Sequence, residues 1–90
     1  MIERRNAEIV NSFFGCDDSL GWVLQIKYVF GGFGGSYTVF LNNTEKIKEL
    51  FNVIGVTDFN KIKGSFIRVK ADYQTVLEIG HIVKDIWIEI

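Results

Sequence analysis

Residues 20–30 alternate in side-chain character over their whole length. Leu20, Trp22, Leu24, Ile26, Tyr28 and Phe30 fall on one side, and Val23, Gln25, Lys27 and Val29 on the other. Successive side chains change faces only in an extended chain, so this run commits the segment to a strand with one buried face. A lone strand or hairpin is not stable in water, so the rest of the chain must supply partners. Residues 7–14 (AEIVNSFF) read as a preceding strand ended by Gly15, with Cys16-Asp17-Asp18-Ser19 as the turn. Residues 37–41 are β-rich. Residues 65–71 (SFIRVKA) alternate, with Ile67, Val69 and Ala71 against Phe66, Arg68 and Lys70. A turn at 72–74 leads to a strand at 75–79, and Gly80 interrupts it. Residues 82–90 close the chain with Ile82, Ile86, Ile88 and Ile90 in phase.

One segment departs from the two-residue period. Asn42-Asn43-Thr44 offers short polar side chains that cap free backbone amides. Ile47, Leu50, Phe51 and Ile54 then recur at helical spacing as far as Gly55, a left-handed C-cap. Thr57-Asp58-Phe59 suggests a second short helical turn with Thr57 as its cap. The expected fold is a single α+β domain over residues 1–90. It has a twisted antiparallel sheet of six strands, in chain order β-β-β-α-β-β-β, with one helix on one face. The absence of proline suits such a chain, since proline cannot donate to a ladder. A chain of 90 residues buries about 64% of its unfolded surface, enough for one core but not for a deep cleft walled by itself.

Charge and cysteine narrow the function classes. Ten Lys/Arg against eleven Asp/Glu give a net charge of −1, which argues against bulk duplex nucleic-acid binding. One local basic run remains: Lys61, Lys63, Arg68 and Lys70, with no acid among them. Cys16 is alone, so neither an intrachain disulfide nor a cysteine metal cluster is expected. Asp17 and Asp18 beside it disfavour a reactive thiolate. Residues 1–6 lack a signal-peptide core, and no apolar run approaches a membrane span. His81 has neither a second ligand for a metal nor a nucleophile to activate, so no metal, cofactor or catalytic set is expected.

Four of the nine glycines crowd into Gly31-Gly32-Phe33-Gly34-Gly35, followed by Ser36 and Tyr37. Such a segment can join two strands as a hairpin. It can also present backbone amides to an anion, with Phe33 and Tyr37 stacking on a ring. It is neither a P-loop nor a dinucleotide fingerprint, because no Gly-Lys-Ser/Thr follows and the next element is a strand. The expected ligand site is Gly31, Gly32, Phe33, Gly34, Gly35, Ser36 and Tyr37 with Arg68, Lys70 and His81. Arg68 is chosen for its phosphate-matching fork. The expected subunit interface is the last strand, at Ile86, Trp87 and Ile88, in a homodimer or larger closed oligomer.

Several blocks in order resemble a family of small phage and prophage proteins. They are Asn6-Ala7-Glu8-Ile9, Gly31–Gly35, Gly64–Val69 (GSFIRV), and Ile79-Gly80-His81-Ile82 with Lys84, Asp85 and Trp87. The resemblance spans nearly the whole chain, through a GFGG segment at Phe33–Gly35 and an IGH at Ile79–His81. It departs from the family by lacking the insertion before the helix and the tail after the tryptophan. It implies a viral accessory protein in the cytoplasm of an infected bacterial host, with counter-defence as a common role. The function expected is non-catalytic sequestration of an anionic, nucleotide-like small molecule at a subunit interface. Two alternatives stand beside it: an anti-CRISPR-type inhibitor of a host defence nuclease, with Phe33 and Trp87 as anchors, and a minor virion structural or assembly protein.

Overall fold

A computed structural model describes all residues from Met1 to Ile90. The chain forms β1 (Ile2–Asp17), β2 (Gly21–Phe30), β3 (Phe33–Phe40), α1 (Thr44–Ile54), β4 (Phe66–Asp72), β5 (Thr75–His81) and β6 (Trp87–Glu89). A single 3-10 turn, Phe59–Lys61, lies between α1 and β4. The six strands make one curled antiparallel sheet in the order β3-β2-β1-β4-β5-β6. The fold is therefore α+β with one helix.

The long strand β1 is the spine. Its first half pairs with β4, from Ile2 opposite Asp72 to Glu8 opposite Phe66. Its second half pairs with β2, as far as Asp17 opposite Gly21. A register shift between Ile9 and Asn11 marks the change of partner. Such a bulge bends a strand and increases its twist. The buried face collects Ala7, Ile9, Leu24, Ile26, Tyr28, Phe30, Val39, Ile67, Val69, Ala71, Ile79 and Ile88, closed by Leu50, Val53, Ile54 and Ile62.

The helix follows its local signals. The Asn43 side chain accepts the Lys46 N–H at 3.2 Å, and Gly55 takes the left-handed conformation (φ 82°) with its N–H donating to Phe51 O. Val53 joins Leu50 and Ile54 in the core, while Ile47 and Phe51 pack at its margin.

Several boundaries differ from the sequence expectation. Strand β1 starts at Ile2 and continues through Gly15, because Gly15 pairs with Val23 while the Phe13 ring lies over it. The turn falls later, where Asp17 Oδ1 accepts the N–H groups of Ser19 (2.8 Å) and Leu20 (3.0 Å). The glycine segment is a two-residue turn, Gly31-Gly32, with φ of 54° and 86°. Two consecutive positive φ angles match the twist of a tight hairpin. Phe33, Gly34, Gly35 and Ser36 already belong to β3. Asp58, not Thr57, caps the 3-10 turn by accepting the Asn60 N–H at 2.8 Å. Gly80 lies inside β5, and the last strand shrinks to Trp87–Glu89 because residues 82–86 form a tied loop.

Candidate functional site: an aromatic end and a boxed tryptophan

The expected ligand residues do not converge. Gly31 and Gly32 form the hairpin tip at one end of β2 and β3. Arg68 and Lys70 lie on β4, in the side-chain register opposite to buried Ile67, Val69 and Ala71. His81 ends β5 and packs its ring against Gly55 at the helix terminus.

Most of these residues already serve the fold. The Arg5 guanidinium fills the space beside Gly31, and the Tyr28 ring fills the space over Gly35. Arg5 also stacks on Phe30, 5.7 Å from the ring centroid. Phe33 is half-buried and packs between Phe30 (6.0 Å) and Tyr73 (5.7 Å). Tyr37 packs at the margin of the core. Arg68 donates from Nε to His81 O (2.7 Å) and from a terminal nitrogen to Lys84 O (2.8 Å). His81 Nδ1 accepts the N–H groups of Val83 and Lys84, each at 3.0 Å. Together these bonds hold the loop before β6, which is why an apparently continuous strand is interrupted there. Lys70 pairs with Glu78 at 3.4 Å, and Lys61 sits apart in the 3-10 turn. The basic run is therefore not an open cationic patch.

Trp87 is the centre of this polar surface. Its ring occupies the space that a side chain on Gly80 would need. Lys70, Arg68 and Arg4 stand 4.2, 4.9 and 5.5 Å from its ring centre. Its Nε1–H donates to Asp85 at 2.6 Å. Among the expected interface residues, Ile88 turns into the core and is 4% exposed, while Ile86 is at the surface. Trp87 and Ile88 are thus held by their own chain.

The opposite end of the sheet is different. Phe13, Phe14, Leu20, Trp22 and Phe40 all lie where β1, β2 and β3 meet the Asp17–Leu20 turn. Trp22 is 58% exposed and Phe14 52%. A shallow hollow of about 450 Å³ is lined by Leu20, Trp22, Phe40, Leu41 and Asn42. Phe14 makes an edge contact with Phe59 at 6.2 Å. The strand patterns placed these residues on faces but not relative to the end of the core. The available signal was the density of aromatics flanking the Asp17–Leu20 turn, where alternation alone favours burial.

A second, smaller cleft of about 280 Å³ lies between the two hairpins at the other end, beside Glu3, Arg5, Phe33, Asp72 and Tyr73. Tyr73 has φ of 58°. A bulky residue rarely takes this left-handed conformation, which costs of order 1 kcal/mol or more. Neither cleft contains a cluster of His, Cys, Asp and Glu able to hold a metal. No helix is long and apolar enough to cross a membrane. No protein-family model, curated protein or solved structure matches the chain.

Proposed function

We propose that the chain is a non-catalytic binding protein that works by protein contact through its aromatic end. The carrying observation is the exposure of Leu20 and Trp22 in the lining of a shallow apolar hollow, with Phe14 exposed at the same end of the sheet. Contiguous exposed apolar surface on a small folded chain marks an interaction site, and tryptophan is among the most frequent energetic anchors of such sites. The partner this surface fits is a folded protein offering an apolar edge or ridge. An inhibitor of a host defence protein, as the phage resemblance implies, is a protein of this kind.

The test compares tagged wild type with the double variant Phe14→Ala/Trp22→Ala, expressed in the host. A stoichiometric partner that is lost from the variant, while Arg4→Ala keeps it, supports the reading. A partner retained by the double variant removes it.

A second reading keeps a ring-bearing small molecule at the cleft beside Arg5. Its support is the strained, exposed Tyr73 held against Phe33. Glu3 and Asp72 in the same cleft oppose a highly charged anion. Titration calorimetry with cyclic and linear nucleotides tests it, and an absence of heat across the panel ends it.

A further inference from the structure

The sheet has two edges, and they are unequally protected. Edge β6 has three residues. Edge β3 has eight, Phe33–Phe40, with neither proline nor charge along it. Natural edges are usually blunted by shortness, charge, proline or a covering element. Leu41 N–H donates to Trp22 O at 3.1 Å, which fixes the phase of the β2–β3 ladder. Alternation then turns Phe33, Gly35, Tyr37 and Val39 toward β2, and the backbone groups of Gly34, Ser36, Thr38 and Phe40 away from it.

We infer that β3 pairs antiparallel with β3 of a second copy, about a two-fold axis at Tyr37. This register places Ser36 opposite Thr38 and Gly34 opposite Phe40 of the second copy, so every outward-facing residue meets another. A two-fold one residue to either side leaves one of them facing a turn residue, Gly32 or Asn42. One bond per copy in this ladder is shared, because each Phe40 O already accepts the Asn43 N–H of its own chain at 3.0 Å.

Gly34 supplies an independent reason. Gly31 makes room for Arg5, Gly35 makes room for Tyr28, and Gly32 holds the turn with positive φ. A side chain on Gly34 would meet only Tyr28 O at 3.5 Å and Val29 at 3.8 Å, which is ordinary contact. Its own fold gives Gly34 no reason to be small. In the dimer it faces Phe40 of the second copy, whose ring can lie over the bare backbone beside exposed Val29. The two sheets become one continuous sheet. The interface moves from the last strand, where the sequence pattern put it, to β3. The inference is argued from the β3 edge and Gly34 and not from the proposed partner surface, with which it shares Phe40.

Sedimentation of the full chain over a concentration series tests it. The expected result is a reversible species at twice the 10.3 kDa chain mass. Ser36→Pro removes an outward N–H without touching the β2 ladder and should weaken the dimer about a hundredfold. A wild type that stays monomeric at all concentrations overturns the inference, as does a folded Ser36→Pro that dimerises like wild type. A crosslink reads the register without relying on that variant. In a Cys16→Ser background, Ser36→Cys and Thr38→Cys chains should form a mixed disulfide on oxidation, because directly paired strand residues stand within disulfide reach. Each chain alone should crosslink far less. Equal crosslinking within each chain alone, or none in the mixture, contradicts the register.

Discussion

The two tryptophans of this chain occupy opposite situations. Trp87 is enclosed: glycine beneath it, three cations around it and a carboxylate on its indole N–H. Trp22 is more than half exposed at the edge of an apolar hollow. The difference divides the sheet. The β4–β6 half commits Arg68, His81 and Trp87 to its own loop and strands, although Phe66 and Tyr73 are exposed, and the helix packs over its buried face. The β1–β3 half leaves five large apolar side chains exposed at one end and a long strand edge unpaired. A cluster of Arg, Lys and Trp looks like a recognition surface in sequence, but here its donors are already taken. The proposed contact surface lies where the chemistry looks plainest.

Substitutions can break this comparison, and the largest effect is expected at Gly80. Gly80→Ala places a methyl group inside the contact envelope of the Trp87 ring and should cost about 2–3 kcal/mol, read as a lower denaturant midpoint. Wild-type stability would mean that Trp87 is not fixed over that glycine. The next effect is the contrast between the tryptophans themselves. Trp87→Ala should cost about 2 kcal/mol through lost packing and cation contacts, whereas Trp22→Ala should stay within about 0.5 kcal/mol. Equal losses would erase the distinction between an enclosed and a free ring.

Arg68→Ala sharpens the same contrast. It removes charge-assisted bonds to His81 O and Lys84 O and should cost about 1–2 kcal/mol, with faster amide exchange in residues 82–86. Unchanged stability, with lost binding of a small anion, would return Arg68 to the ligand role that its sequence context suggests. The smallest effect concerns Tyr28. Burial raises its phenol above the ordinary pKa of 10.0. The folded state therefore holds this proton where the unfolded chain releases it, and stability falls as pH rises above about 10. Tyr28→Phe should flatten that alkaline decline in thermal midpoint while changing little at neutral pH.

Elements set by local rules were legible in the sequence. Strand β2 followed from alternation, and α1 from an asparagine cap, an apolar stripe and a terminal glycine. What escaped depends on distant neighbours. Gly15 and Gly80 looked like strand breakers, yet each sits in a ladder because an aromatic ring lies over it. Residues 82–86 kept the phase of a strand but are held as a loop by Arg68 and by His81, whose roles require the β4–β5 pairing. The glycine cluster was recognised as a hairpin, but three of its four glycines answer to Arg5, Tyr28 or turn geometry. The ligand set drawn from sequence gathered residues by type, and the sheet separates them.

The central claim is that the β1–β3 half makes intermolecular contact while the Trp87 half maintains the fold. Amide exchange by nuclear magnetic resonance, on dilute and concentrated samples of the wild type, addresses both halves at once. The account predicts that the Ser36 and Thr38 amides exchange rapidly when dilute and become protected when concentrated, with no change around Trp87 and residues 82–86. Concentration-dependent protection at β6 and Trp87, with Ser36 and Thr38 unchanged, would contradict it.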